Sequence, residues 1–91
     1  MSIESFADKR LEILFVKRTS KGLPAKQVDK IDRLLDLLDK ASSEKDLRVS
    51  GFHRLKGDRK GTSAWVVTRN WRLTFRFVAG RAYDVNFEDY H

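Results

Sequence analysis

Between Pro24 and Ala41, the side chains of Val28, Ile31, Leu34, Leu35 and Leu38 share one face of a helix turning about 100° per residue. Asp29, Asp32, Asp36 and Asp39 form an acidic stripe beside that face, and Lys26, Lys30, Arg33 and Lys40 a basic one. A helix with a single apolar face has to bury it against another layer of structure. The acids along its edge repel phosphate, so this helix reads as the structural back of the molecule. Leu37 falls off the apolar face and is expected to be exposed, either a lone surface leucine or a foothold for a protein partner.

Around this helix the pattern assigns the remaining elements. Residues 3–6 suit a short first strand. Asp8 is placed to cap a helix reaching about Arg18, with Leu11, Leu14 and Phe15 on one face and Gly22 as its stop. Pro24 opens the second helix, where its missing N–H costs nothing. Residues 42–46 can cap a short helical turn, and strands are expected at 52–55, 63–68, 71–77 and 82–88. Helices followed by strands predict an α+β fold: an N-terminal helical hairpin packed on one face of a mostly antiparallel four- to five-stranded sheet, in a single domain spanning 1–91.

The last two strands alternate, Trp71, Leu73, Phe75 and Phe77 with Arg72, Thr74 and Arg76, and Tyr83, Val85 and Phe87 with Asp84, Asn86 and Glu88. A two-residue loop at Ala79-Gly80 sets Phe75 opposite Asp84 and mixes the faces. A three-residue loop through Arg81 instead pairs Phe77 with Tyr83, Phe75 with Val85 and Leu73 with Phe87, and brings Arg76 to Asp84 and Arg72 to Glu88. That register is the expected one. It turns Arg72, Thr74 and Arg76 away from the helices and points Asp89 toward the core edge.

Charge locates the working half. The chain of 91 residues carries a net charge of +6, which favours a polyanionic partner, most simply nucleic acid. Residues 1–47 hold 10 Lys/Arg against 9 Asp/Glu, and residues 48–91 hold 9 against 4. The second half therefore carries +5 of the +6, mostly as arginine, the better phosphate ligand. There is no cysteine, so disulfides and thiolate metal sites are excluded. The opening residues lack the apolar run of a signal peptide, and no stretch approaches a membrane span; a cytoplasmic location with no membrane partner is expected.

The two histidines are His53 and the final residue, His91. His53 precedes Arg54-Leu55-Lys56-Gly57-Asp58-Arg59-Lys60-Gly61, whose glycine spacing does not make a nucleoside-triphosphate loop. Two histidines without helical spacing give no metal site, and no cofactor is expected. What remains suits metal-free RNA cleavage. Imidazoles can take the proton of an attacking 2′-hydroxyl and return one to the leaving 5′-oxygen, while Lys and Arg stabilise the phosphorane between them. Tyr90 can stack on a base or hold a phosphate. From these residues alone, a surface His53 and a loose His91 remain an open alternative, as does an RNA-binding protein that does not cut.

Several stretches together resemble the HigB-type toxins of bacterial type II toxin–antitoxin systems, plasmid maintenance killer proteins of the RelE-like superfamily. They are Ile3-Glu4-Ser5-Phe6, Gly22-Leu23-Pro24-Ala25, Leu55 through Gly61, Asn70-Trp71-Arg72-Leu73-Thr74-Phe75-Arg76-Phe77, Ala82-Tyr83-Asp84-Val85 and the closing Glu88-Asp89-Tyr90-His91. The resemblance implies a ribosome-dependent endonuclease cutting messenger RNA in the ribosomal A site. It also implies a helix-turn-helix, HigA-like antitoxin through which alone the toxin reaches operator DNA; a co-repressor role with that antitoxin is the other function it allows. It places catalysis on His53, Asp89, Tyr90 and His91, and RNA or phosphate binding on Lys56 and Arg72, with Arg59, Arg69 and Arg76 the further basic candidates. The terminal carboxylate on His91 favours its protonated form, making it the better acid. The chain departs from the family pattern in two places: Arg54 replaces the proline after the histidine, and Thr62-Ser63 replaces an aromatic pair, with Trp65 two residues on.

Overall fold

The apolar stripe of the second helix organises the molecule, and its enclosure is nearly complete. In a computed structural model describing residues 2–89, α2 (Val28–Lys40) buries Ile31, Leu35 and Leu38 with no exposed surface. Each such side chain contributes about 1.5–3 kcal/mol by leaving water. Leu37 is half-buried and packs against the same core rather than standing exposed.

α1 (Lys9–Lys17) begins as its sequence directs, with the Asp8 carboxylate accepting the Arg10 N–H at 2.8 Å. It ends earlier than Gly22. Arg18 takes the left-handed conformation (φ 60°) that a glycine adopts more cheaply, and its N–H closes on the Leu14 carbonyl at 3.1 Å. Its guanidinium forks onto Asp32 at 2.8 and 2.7 Å, tying α1 to α2. The turn Glu44–Leu47 is closed by a capping box between Ser43 and Asp46, in the segment expected to hold one.

Four antiparallel strands follow in spatial order, β1 (Phe52–Arg54), β2 (Thr62–Val66), β3 (Trp71–Val78) and β4 (Arg81–Asp89). The segment before α1 runs parallel to β4, bridging Ile3 to Ala82 and Phe6 to Val85. Trp65, Leu73, Phe75, Val85 and Phe87 fill the helix-facing side and are buried. The Trp65 indole N–H donates to the Leu47 carbonyl at 2.8 Å, so the largest core side chain is also fully satisfied.

The β3–β4 hairpin corrects half of the expected register. Arg72 pairs with Glu88 and Leu73 with Phe87, as the alternation requires. Nearer the turn, however, Val78 pairs with Arg81, Phe77 with Ala82 and Arg76 with Tyr83. The loop is the two-residue one, Ala79-Gly80, with both residues at positive φ (52° and 79°), as a tight hairpin turn of that length demands. A β-bulge absorbs the mismatch: between Thr74 and Arg76, the single Phe75 faces both Asp84 and Val85, and Asp84 sits at φ 56°. Ala82 takes the inward place expected for Tyr83. Arg76 still reaches Asp84, at 3.7 Å.

Candidate RNA-cleaving face

The side of the sheet turned away from the helices collects the chemistry. Strand register puts His53, Ala64, Thr74 and Asn86 in one row across it, with Val66, Arg72 and Glu88 in the next and Thr62, Arg76 and Tyr83 on the other flank. With neighbouring strands about 4.8 Å apart, the His53 backbone lies roughly 10 Å from that of Thr74. His53 itself is exposed on the edge strand, in a shallow concavity of about 450 Å³ shared with Arg48, Val49, Phe52 and Arg54. Both of these arginines bind Glu44, Arg48 at 2.8 Å, which fixes the outer rim of the concavity.

Glu88 is the centre of the face. The β1–β2 loop turns through Gly57–Arg59, with Gly57 and Gly61 in left-handed conformations (φ 67° and 97°), and lays Arg59 back across the sheet. Arg59 donates to both Glu88 oxygens, Nη1 to Oε1 at 2.6 Å and Nη2 to Oε2 at 2.7 Å. The Thr74 hydroxyl donates to Oε2 at 2.5 Å, Asn86 Nδ2 at 3.4 Å, and Arg72 Nη2 stands 3.6 Å from Oε1. The Glu88 side chain keeps 18% of its surface exposed and Arg72 21%. Arg59's hydrogen bonds outweigh the effect of burial and, with Thr74's hydroxyl and the two guanidinium charges, hold the Glu88 carboxyl down at about 2. Beside it lies a hollow of about 200 Å³ lined by Arg59, Thr62, Thr74, Arg76, Asn86 and Glu88.

This face is more covered than the bare alternation implies, for Thr74 is 1% exposed beneath the Arg59–Glu88 pair. Of the candidate residues, Arg59, Arg72 and Arg76 gather here, with His53 at the edge of the same side. Lys56 is exposed and lines a different groove, about 590 Å³, together with Arg54, Leu55, Lys60 and Phe77. Arg69 is exposed in the turn between β2 and β3, near the end of the sheet where Trp71 pairs with Asp89. Asp89 is exposed and, by that pairing, alternates to the side opposite Glu88. Tyr90 and His91 lie outside the described residues. Glu88 and Thr74 were not among the sequence candidates. The signal for Glu88 was present in its register partner Arg72, but nothing local announced that Arg59, itself a basic candidate, would reach it.

Known proteins are similar to this chain over almost its whole length. A family model described as the RelE-like toxin HigB of type II toxin–antitoxin systems matches residues 4–91. An endoribonuclease HigB of Proteus vulgaris is 44% identical over 91 residues, covering 98% of this chain and 99% of the relative. A toxin HigB-1 of Vibrio cholerae serotype O1 is 34% identical over 86 residues, 90% of each chain.

Proposed function

Given that the chain belongs to the HigB-like family, the RelE-like toxins of type II toxin–antitoxin systems, we propose that it is an endoribonuclease that cuts messenger RNA in the ribosomal A site. The RNA-cutting activity is supported by the 44% identical relative named as an endoribonuclease. The family likewise supports an antitoxin as its partner; the finer reading makes that antitoxin a helix-turn-helix protein of HigA type, with operator DNA reached only through it. The described helices include none long and apolar enough to cross a membrane, and the site of action on this reading is the cytoplasm.

The observation that carries the reading is the gathering of His53, Arg59, Arg72 and Arg76 on one side of a sheet in a chain with full-length family similarity. In the proposed reaction a phosphodiester lies across this side. A base removes the 2′-hydroxyl proton as the 2′-oxygen attacks phosphorus, the P–O5′ bond breaks, and an acid returns a proton to the departing 5′-oxygen. The products are a 2′,3′-cyclic phosphate and a 5′-hydroxyl. His53 and His91 supply the base and acid and Tyr90 stacks on a base; Asp89, which alternates to the side opposite Glu88, joins this group only as the family resemblance implies, from the edge of the sheet. Arg59, Arg72 and Arg76 meet the charge that builds on the phosphorane, and Lys56 and Arg69 guide the flanking RNA. The chemistry needs no metal.

Primer extension on messenger from producing cells tests it. Cutting leaves ends that persist after the ribosomes are stripped by phenol, whereas a protein that only binds leaves stops that vanish.

A further inference from the structure

A carboxylate among phosphate-binding arginines is electrostatically out of place, because it repels the substrate that they attract. Glu88 nonetheless holds the middle of this face, with both oxygens engaged by Arg59, one by Thr74, and Arg72 at 3.6 Å. The bidentate fork fixes the guanidinium plane of Arg59 as well as its position. That contact also spans 29 positions of sequence, tying the Gly57–Arg59 turn to the last strand. What Glu88 gives in exchange for its unfavourable charge is therefore geometry.

We propose that Glu88 is a positioning residue of the RNA-cleaving site, holding Arg59 and Arg72 in the arrangement that meets the phosphorane. The inference rests on the endoribonuclease reading above. Arg59 and Arg72 together carry two positive charges against one negative, so the cluster keeps a net attraction for phosphate while its guanidiniums stay ordered. Preorganised charge of this kind acts in the transition state without reorganising at the moment of reaction. Thr74, buried beneath the pair, keeps the carboxylate from swinging away.

This role has an unusual signature. Glu88→Gln removes a negative charge from an RNA site, so affinity for an uncleavable RNA carrying a 2′-deoxy substitution at the cut position should rise by about 2- to 10-fold. Cleavage should nevertheless slow by about 10- to 100-fold, because misplacing a reacting-site group by about an ångström costs on that order. The experiment measures both quantities on full-length protein, using single-turnover cleavage of a message held on translating ribosomes. Arg59→Gln, altered at the solvent side of the pair, is the second variant and should slow cleavage to a similar degree. The double variant should be little slower than either single one. Tighter binding with slower cleavage, and non-additivity between the two positions, is the expected result. Cleavage by Glu88→Gln at the wild-type rate or faster overturns the inference, as does full additivity. If the wild-type protein itself cuts no RNA, the endoribonuclease reading fails instead, and the two failures are distinct.

Discussion

Arg59, in the loop between β1 and β2, grips Glu88, near the end of β4, through two hydrogen bonds of 2.6 and 2.7 Å. That single pairing joins the loop to the far strand, covers Thr74, and turns an arginine-bearing sheet into a shaped hollow. Much of what can be tested in this protein runs through it.

Thr74 donates to Glu88 at 2.5 Å from a position 1% exposed. Thr74→Val keeps the shape and removes the donor, leaving the carboxylate with Arg59 and Arg72. The variant should lose about 1–2 kcal/mol of stability in urea unfolding. A midpoint equal to the wild type would mean that the hydroxyl contributes nothing.

The acid limb of stability should depend on Glu88. Its carboxyl titrates at about 2 when folded against an ordinary 4.5. The unfolded state therefore binds more protons between these values, and stability falls as pH drops from about 4.5 toward 2. Above that window the contribution is complete. In Glu88→Gln, the plot of unfolding free energy against pH should be shallower across the window, and an unchanged slope would contradict the assignment.

At the hairpin, Ala79 holds φ 52° ahead of Gly80 at 79°. Alanine is strained there, while asparagine tolerates the left-handed region and suits this turn. Ala79→Asn should gain about 0.5–1 kcal/mol, read as a higher denaturation midpoint. A loss would indicate that the turn is not of this kind.

On the proposed reaction, which uses the His91 imidazole for proton transfer, His91→Gln should abolish growth arrest while leaving the folded state and ribosome binding intact. Cell counts after induction, with ribosome co-sedimentation as the control, measure this. Full toxicity would remove the terminus from the site.

Residue pattern made the helices and the helix-facing side of the sheet legible. The spacing of Ile31, Leu35 and Leu38 leaves little freedom, and these residues are the ones enclosed. Pattern was silent where backbone conformation broke its own period. Asp84 enters a bulge, so alternation counted back from Phe87 assigns the wrong partners beyond Phe75. α1 ends at about Arg18 as its pattern directs, but the left-handed stop expected at Gly22 is taken by Arg18 itself, whose fork onto Asp32 gives the helix end a partner in α2 that no local rule anticipates. The site divides the same way. The cross-strand partner of Glu88, Arg72, could be read from register, whereas Arg59 arrives through a loop whose path depends on two left-handed glycines. Its charge was evident and its destination was not.

The most direct measurement is single-turnover cleavage of a message held on translating ribosomes, comparing the wild-type protein with His53→Gln at saturating concentration. His53 is exposed on the edge strand, so the substitution should leave fold and binding unaltered. A rate lower by about 100-fold or more is predicted for the loss of a proton-transfer group, with the wild type producing fixed 5′-hydroxyl ends. Equal rates and identical ends from both proteins would contradict a cleavage centre on this side of the sheet.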